Sequence, residues 1–379
     1  VFPDLRQQPG RKKQQINNSC QSNENYHRGH NMQTNTTTRD KTIDFIKGIL
    51  ILFVILGHTT LGLTDMYSFD DTMNGIANVI YSFHMPCFIA VSGFLYSEYV
   101  GNASQGIFSR IGHKAFNILL PYVMISVIYW IIKFALSNLI REPVAVSSLI
   151  SIPWKPIEFL WYLYALFLIY CVAYMADYVF ARLLPHFNYK MELLFVLFLI
   201  IAFTCYGSFH YVGFNYIAGF QMYFYLGCLI KKWLDKLDNR YAVLSLAVMS
   251  VLVEASGIVL QDDMSSNPLF SSLFERLTAC IVTVFIFAVS YFLSGYCDFP
   301  KWLQTIGRDS MPFYAMNVIF VGGIRIILNR AGITNMALQC ICGFAGSTAI
   351  CWILYECIIK KIRLIDFIFY PGKQLHIRK

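Results

Sequence analysis

Apolar runs of about twenty residues recur along this chain, parted by short polar connections. A helix of that length spans about 30 Å, the thickness of a bilayer's hydrocarbon core. Ten such runs are read, at 43–63, 76–97, 115–137, 157–178, 191–207, 213–230, 241–260, 274–294, 308–328 and 336–358. The fifth is short and ends in the polar string CYGSFHY. The pattern predicts an all-α integral membrane protein with about ten transmembrane helices.

The first 41 residues differ in kind. They are polar, rich in Gln, Asn and Thr, and lack apolar periodicity, so they are expected to be disordered. Met32 opens a natural lead into the first span, MQTNTTTRDKTIDF, and the native start is expected there, with the preceding residues non-native. No cleavable signal peptide is expected, because the first apolar segment is long and lacks a small-residue cleavage site. One membrane domain then covers 42–360, and a basic tail covers 361–379. Neither an internal repeat nor a second, soluble domain is visible.

Composition sharpens the class. Of 379 residues, 56% are hydrophobic and only 14% charged, against about a quarter charged in soluble domains. Most of the 30 Lys and Arg fall on one side if the N-terminus lies in the cytoplasm, as the positive-inside rule expects. KKWLDKLDNR, after the sixth span, is then cytoplasmic, and DMYSFDD and QDDM face outward. An even number of spans returns the C-terminus to the cytoplasm. The net charge of +8 reports this topology, and no nucleic-acid partner is needed to explain it. The expected location is the plasma membrane, crossed many times. The eleven cysteines form no CxxC pair, so neither a disulfide framework nor a metal site is expected.

Polar residues inside the apolar runs carry the chemistry. Asp44, Lys47 and His58 fall within an arc of about 60° on the first helix. Asp44 and Lys47 stand at i,i+3 spacing and can pair. His58 lies about 16 Å further along the axis from Lys47. A cationic entrance with a buried imidazole beyond it suits a ligand with a charged head and a long thin arm, such as an acyl-coenzyme A. His84, on the second span, precedes Met85-Pro86, where proline frees the Ser82 carbonyl and favours a cavity. Intramembrane ionisable groups default to a functional site, and two histidines on successive spans suggest one shared pocket. Cys87 is read as packing. Glu158 and Trp161, at the outer start of the fourth span, could hold acceptor hydroxyls and stack on a sugar ring, although Trp there also suits the interfacial belt. Glu275 and Arg276 read as a surface pair, and Glu254 as a protonated or paired carboxyl without an assigned role.

These residues resemble a known family. DFIKGILILFVILGH (44–58) and SFHMPCFIAVSGFLY (82–96) resemble signatures of the acyltransferase-3 membrane acyltransferases. LLPY (119–122), FLWYLYALF (159–167), FYLGCLI (224–230) and IGRDSMPFY (306–314) follow in the family's order. The resemblance is nearest to the branch associated with acetylation of cell-surface sugars. It implies transfer of an acyl group, usually acetyl, from cytoplasmic acyl-CoA to a hydroxyl of a glycan or lipid-linked sugar. It also implies that His58 is essential, with His84 matching the histidine before Met-Pro. This chain departs from the pattern at three places. Lys47 stands where Arg is common; the basic pair before LLPY appears as Lys114 and Asn117; and Asn317 replaces a histidine.

The mechanism expected is direct transfer, with His58 as general base and His84 orienting it or donating to the oxyanion. Lys47, Arg110 and Lys114, with His113, are candidates for the CoA phosphates, supported by Asp44 and Asn317. Ordinary positive-inside charge would account equally for the loop that carries Arg110 and Lys114. The alternative is a proton-coupled transporter using the same His, Asp and Lys set. That reading predicts a repeat relating two halves, whereas the costly residues crowd into the first two helices.

Overall fold

A computed structural model describes residues 39–64, 71–99, 106–135, 146–205, 207–209, 211–237, 239–259 and 267–376. Expectations for residues 1–38 and 377–379 lie outside the described residues. The described elements are helical throughout. They are α1 (Lys41–Thr64), α2 (Asp71–Tyr99), α3 (Ile107–Lys114), α4 (Leu120–Ala135), α5 (Val146–Ser151), α6 (Trp161–Leu183), α7 (Lys190–Thr204) and α8 (Val212–Leu237). After these come α9 (Arg240–Val259), α10 (Pro268–Ser294), α11 (Lys301–Arg308), α12 (Ser310–Arg330), α13 (Met336–Leu354), α14 (Arg363–Phe369) and α15 (Pro371–His376). A π-turn, Ala115–Leu119, joins α3 to α4, and a second, Tyr355–Ile359, extends α13.

Eight of these helices, counting each π-joined pair as one, are long and apolar enough to cross a membrane. The sequence predicts ten, and the difference falls on α7 and α8. With 15 residues, α7 reaches about 22 Å, short of the hydrocarbon thickness. α8 has 26 residues, but Asn215, Gln221 and its KKWLDKL end dilute its apolar character. Its middle, from Gln221 to Ile230, is buried, so α8 is an interior helix of the bundle. Pro86 does not break α2, which runs as one helix through it.

Glycine sets two close crossings that position the site. A Cβ on Gly93 of α2 would overlap the Phe224 carbonyl of α8, and one on Gly227 would overlap the Ala90 carbonyl. Such small residues let two backbones approach until they pack directly. In the same way Gly48 of α1 lies against the Leu303 backbone of α11, and Gly307 lies against the Asp44 carbonyl. The amphipathic α11 is thereby locked across the first half of α1, and Asp44 is buried at the crossing. Elsewhere, Glu275 and Arg276 do not form the surface pair that their adjacency predicts. Glu275 accepts from Ser271 Oγ at 3.0 Å, and the buried Arg276 donates to the Gly219 carbonyl at 3.0 Å, tying α10 to α8.

Candidate functional site

α1 carries the polar residues of the site on one face, and α2, α6 and α12 close around that face. Near the first half of α1 lies a cavity of about 190 Å³. Its walls include Lys47 and Ile51 of α1, Ser92 of α2, Tyr162 of α6, and Ser310 and Tyr314 of α12. The cavity is mostly apolar, with Lys47 and four hydroxyl-bearing residues among its walls, a lining that suits a thin arm of mixed polarity. At its α11–α12 corner Arg308 Nε donates to Asp309 at 2.8 Å, and Tyr355 donates to the same carboxylate at 2.6 Å. These contacts anchor the turn that presents Ser310.

Further along α1, His58 and His84 are brought together around one aromatic ring. Tyr81 of α2 places its hydroxyl 3.3 Å from His58 Nδ1. The same ring meets His84 edge-on, with centroids 4.9 Å apart. His84 is buried, and its Nδ1–H donates to the Ile80 carbonyl at 2.6 Å. In the neutral imidazole this leaves the lone pair on Nε2. Phe159 closes the other side of His58, at 6.0 Å between centroids. Tyr314 then packs on Phe159 and Tyr162 and donates its hydroxyl to the Phe159 carbonyl. Tyr162 and Tyr314 also line the cavity, so one aromatic cluster connects the Lys47 chamber to the histidines.

Tyr81, Phe159, Tyr162 and Tyr314 are site residues that sequence reasoning does not single out. In a chain that is 16% aromatic, one more aromatic carries no signal. The i,i+3 spacing of Tyr81 and His84 was the usable clue.

The remaining candidates divide. Arg110 and Lys114 belong to α3, and their side chains pack against α6 rather than on the cavity wall. Arg110 lies 3.9 Å from Asp177 and stacks over Tyr174 at 4.3 Å. Lys114 sits 3.8 Å over the ring of Tyr170, whose hydroxyl donates to the carbonyl of Ser92, a cavity residue. Lys114 is therefore one side chain removed from the chamber. Lys190 joins the same carboxylate at 2.6 Å, so three cations cluster at this end of the bundle. Asn117, which stands where a second cation is expected, donates to the His113 carbonyl at 2.8 Å.

Asn317 is fully buried and turns its amide back on its own helix, donating to the carbonyls of Phe313 and Tyr314. Trp161 stacks on Tyr216 of α8 at 5.2 Å. Glu158 opens a single 3-10 turn, Glu158–Leu160, and its side chain lies outside the described residues. Glu254, without a role from sequence, accepts from Ser82 Oγ at 3.0 Å.

A bundle of bilayer-length helices with an imidazole pair beyond a cationic chamber is the frame of a multi-pass membrane enzyme. The chain matches the family model described as "Acyltransferase domain" over residues 40–356, and it belongs to that acyltransferase-3 family. Two curated relatives carry the same name. Nodulation protein NolL of Mesorhizobium japonicum is 31% identical over 157 residues, 40% of this chain and 38% of the relative. Nodulation protein NolL of Sinorhizobium fredii is 39% identical over 84 residues, 22% of each chain. Both matches span well under half the length of the relatives.

Proposed function

We propose that this protein moves an acyl group, most simply acetyl, from cytoplasmic acyl-CoA to a hydroxyl of a cell-surface glycan or lipid-linked sugar. The observation that carries the reading is the single face of α1. Lys47 opens into a chamber, and His58 waits about 16 Å further along the same face. That spacing matches a donor whose phosphates stay at the cationic end while its thioester reaches the imidazole. Membership of the acyltransferase-3 family supports the same chemistry. The topology proposed is ten crossings, α7 and α8 included, with both termini in the cytoplasm of a cell whose plasma membrane holds the protein.

In this mechanism His58 donates Nδ1–H to the Tyr81 oxygen, which leaves Nε2 as the base. A sugar hydroxyl attacks the thioester carbonyl carbon as its proton passes to Nε2. The tetrahedral intermediate collapses, the C–S bond breaks, and the CoA thiolate takes the proton from the imidazolium. His84, with its Nδ1–H committed to the Ile80 carbonyl, suits an orienting role: it holds Tyr81 against His58. Lys47 neutralises a donor phosphate, and Arg110 and Lys114 contribute to the field that draws the anion in.

The purified protein should therefore release CoA thiol from acetyl-CoA. His58→Ala should abolish release while keeping the wild-type melting temperature and acetyl-CoA binding. Full turnover in a well-folded His58→Ala protein would end the general-base assignment.

A further inference from the structure

A second cavity, of about 500 Å³, lies between α4, α12, the π-turn that extends α13, and α14. Its walls are aliphatic and aromatic, with Tyr129 of α4, Ile319 of α12 and Ile365 of α14 among them, and no charged side chain lines it. Apolar cavities stay dry, and one of about 150 Å³ already binds benzene, so this larger space suits a length of hydrocarbon. Ile128 and Ile358, both on its walls, are exposed. The cavity therefore opens on the surface of helices long and apolar enough to cross a membrane. The arm of the donor lies elsewhere. Met311 and Tyr314 line the Lys47 chamber, whereas Met316 and Ile319 line this cavity, about 140° round α12. Tyr129 packs edge-on against Phe159 at 5.2 Å, and Phe159 closes one side of His58. Two aromatic rings thus stand between this cavity and the imidazole.

Charge beside the cavity narrows the occupant. Lys360, Lys361 and Arg363 fall in sequence between Ile359 and Ile365, which both line it. Lys360 pairs with Glu356 at 3.1 Å, one turn back. Lys361 and Arg363 are exposed, and neither forms an ion pair among the described residues. Two such cations next to a space shaped for hydrocarbon match a ligand with a long apolar chain and an anionic head. Ammonium and guanidinium groups both bind phosphate. In the topology proposed above, these cations face the cytoplasm, where the leaflet is anionic and basic pockets between spanning helices bind its headgroups. We propose that the cavity holds one acyl chain of an anionic phospholipid whose headgroup phosphate lies on Lys361 and Arg363. Positive-inside charge alone would place cations here without a cavity beside them, and a neutral lipid would fill the cavity without using them. Lipid binding of this kind needs neither acyl donor nor acceptor, so it stands or falls apart from the acyl-transfer reading.

The test places the full chain in phosphatidylcholine nanodiscs with a trace of phosphatidylglycerol that carries a photoreactive group on one acyl chain. Illumination and peptide mass spectrometry locate the label, and unlabelled phosphatidylglycerol or phosphatidylcholine is added as competitor. The expected result is label on the cavity-lining peptides of α4 and α12, displaced at least tenfold more effectively by phosphatidylglycerol. Label elsewhere on the bundle should yield equally to both lipids. Lys361→Gln combined with Arg363→Gln should abolish the preference at the cavity. Ile319→Trp, which fills the cavity, should remove the label there; Ile365→Trp does the same from α14, and melting temperatures identify the variants that fold. Absence of label at the cavity would overturn the proposal, as would equal competition by the two lipids. So would a preference that survives the double Gln variant, or cavity label retained in a folded Trp variant. Displacement by a long-chain acyl-CoA in preference to phosphatidylglycerol would also overturn it and give the cavity to the chain of the donor.

Discussion

At the scale of single residues, Tyr81 is where the account is most exposed. Its hydroxyl sits 3.3 Å from His58 Nδ1 while its ring packs on His84. Tyr81→Phe keeps the packing and removes the hydrogen bond, a loss of about 0.5–1.5 kcal/mol. We expect kcat to fall roughly tenfold, with KM for acetyl-CoA unchanged. Steady-state kinetics would decide it, and an unchanged kcat would show that His58 needs no orientation from Tyr81. Lys47 makes a complementary prediction. Lys47→Ala should weaken acetyl-CoA binding by about 1.5–3 kcal/mol, the range for a hydrogen bond to a charged group. Lys47→Arg should keep most of the affinity. If Asp44→Ala combined with Lys47→Ala restored both stability and donor affinity, Lys47 would serve only to neutralise Asp44.

The two histidines and Lys47 were legible in the sequence because each interrupts an apolar run, and their angular positions follow from helical geometry alone. The aromatic residues between them were not, since an aromatic in a membrane span breaks no pattern. Nor could spacing show that Lys114 and Arg110 lie over Tyr170 and Tyr174, a contact between α3 and a helix more than fifty residues away. The misread pair was Glu275 and Arg276, where adjacency in sequence concealed side chains that point to different partners.

Among the helices, the crossing of α2 with α8 holds His84 in place. Gly93→Ala would drive a methyl group into the Phe224 carbonyl, and both backbones are buried there. Overpacking of this kind costs about 1–3 kcal/mol. Gly75→Ala, in the same helix with nothing within 4 Å, should be neutral or stabilising by about 0.5–1 kcal/mol. Melting temperatures of the two purified variants check the contrast, and equal behaviour would show that the α2–α8 contact is loose. At this scale the sequence located the helices well, and α7 and α8 are the two that length and hydropathy alone do not mark as crossings. Length and hydropathy describe how a helix meets lipid, whereas α8 is enclosed by other helices and α7 is too short to cross unaided.

For the molecule as a whole, orientation decides which substrate meets which end of α1. With cytoplasmic termini, single cysteines at Asp71 and Arg330 should react with a membrane-impermeant reagent from outside intact cells, and one at Lys236 should react only after permeabilisation. Labelling of Lys236 from outside would invert the bundle and place the Lys47 chamber away from cytoplasmic acyl-CoA. The central claim is transfer of an acyl group to a surface sugar by His58. It is tested most directly by feeding isotopically labelled acetate to cells carrying either wild type or His58→Ala and measuring label in ester linkage on their purified surface glycans. The account predicts labelled acetyl esters with wild type and background label with an equally abundant His58→Ala protein. Equal labelling in the two would contradict it.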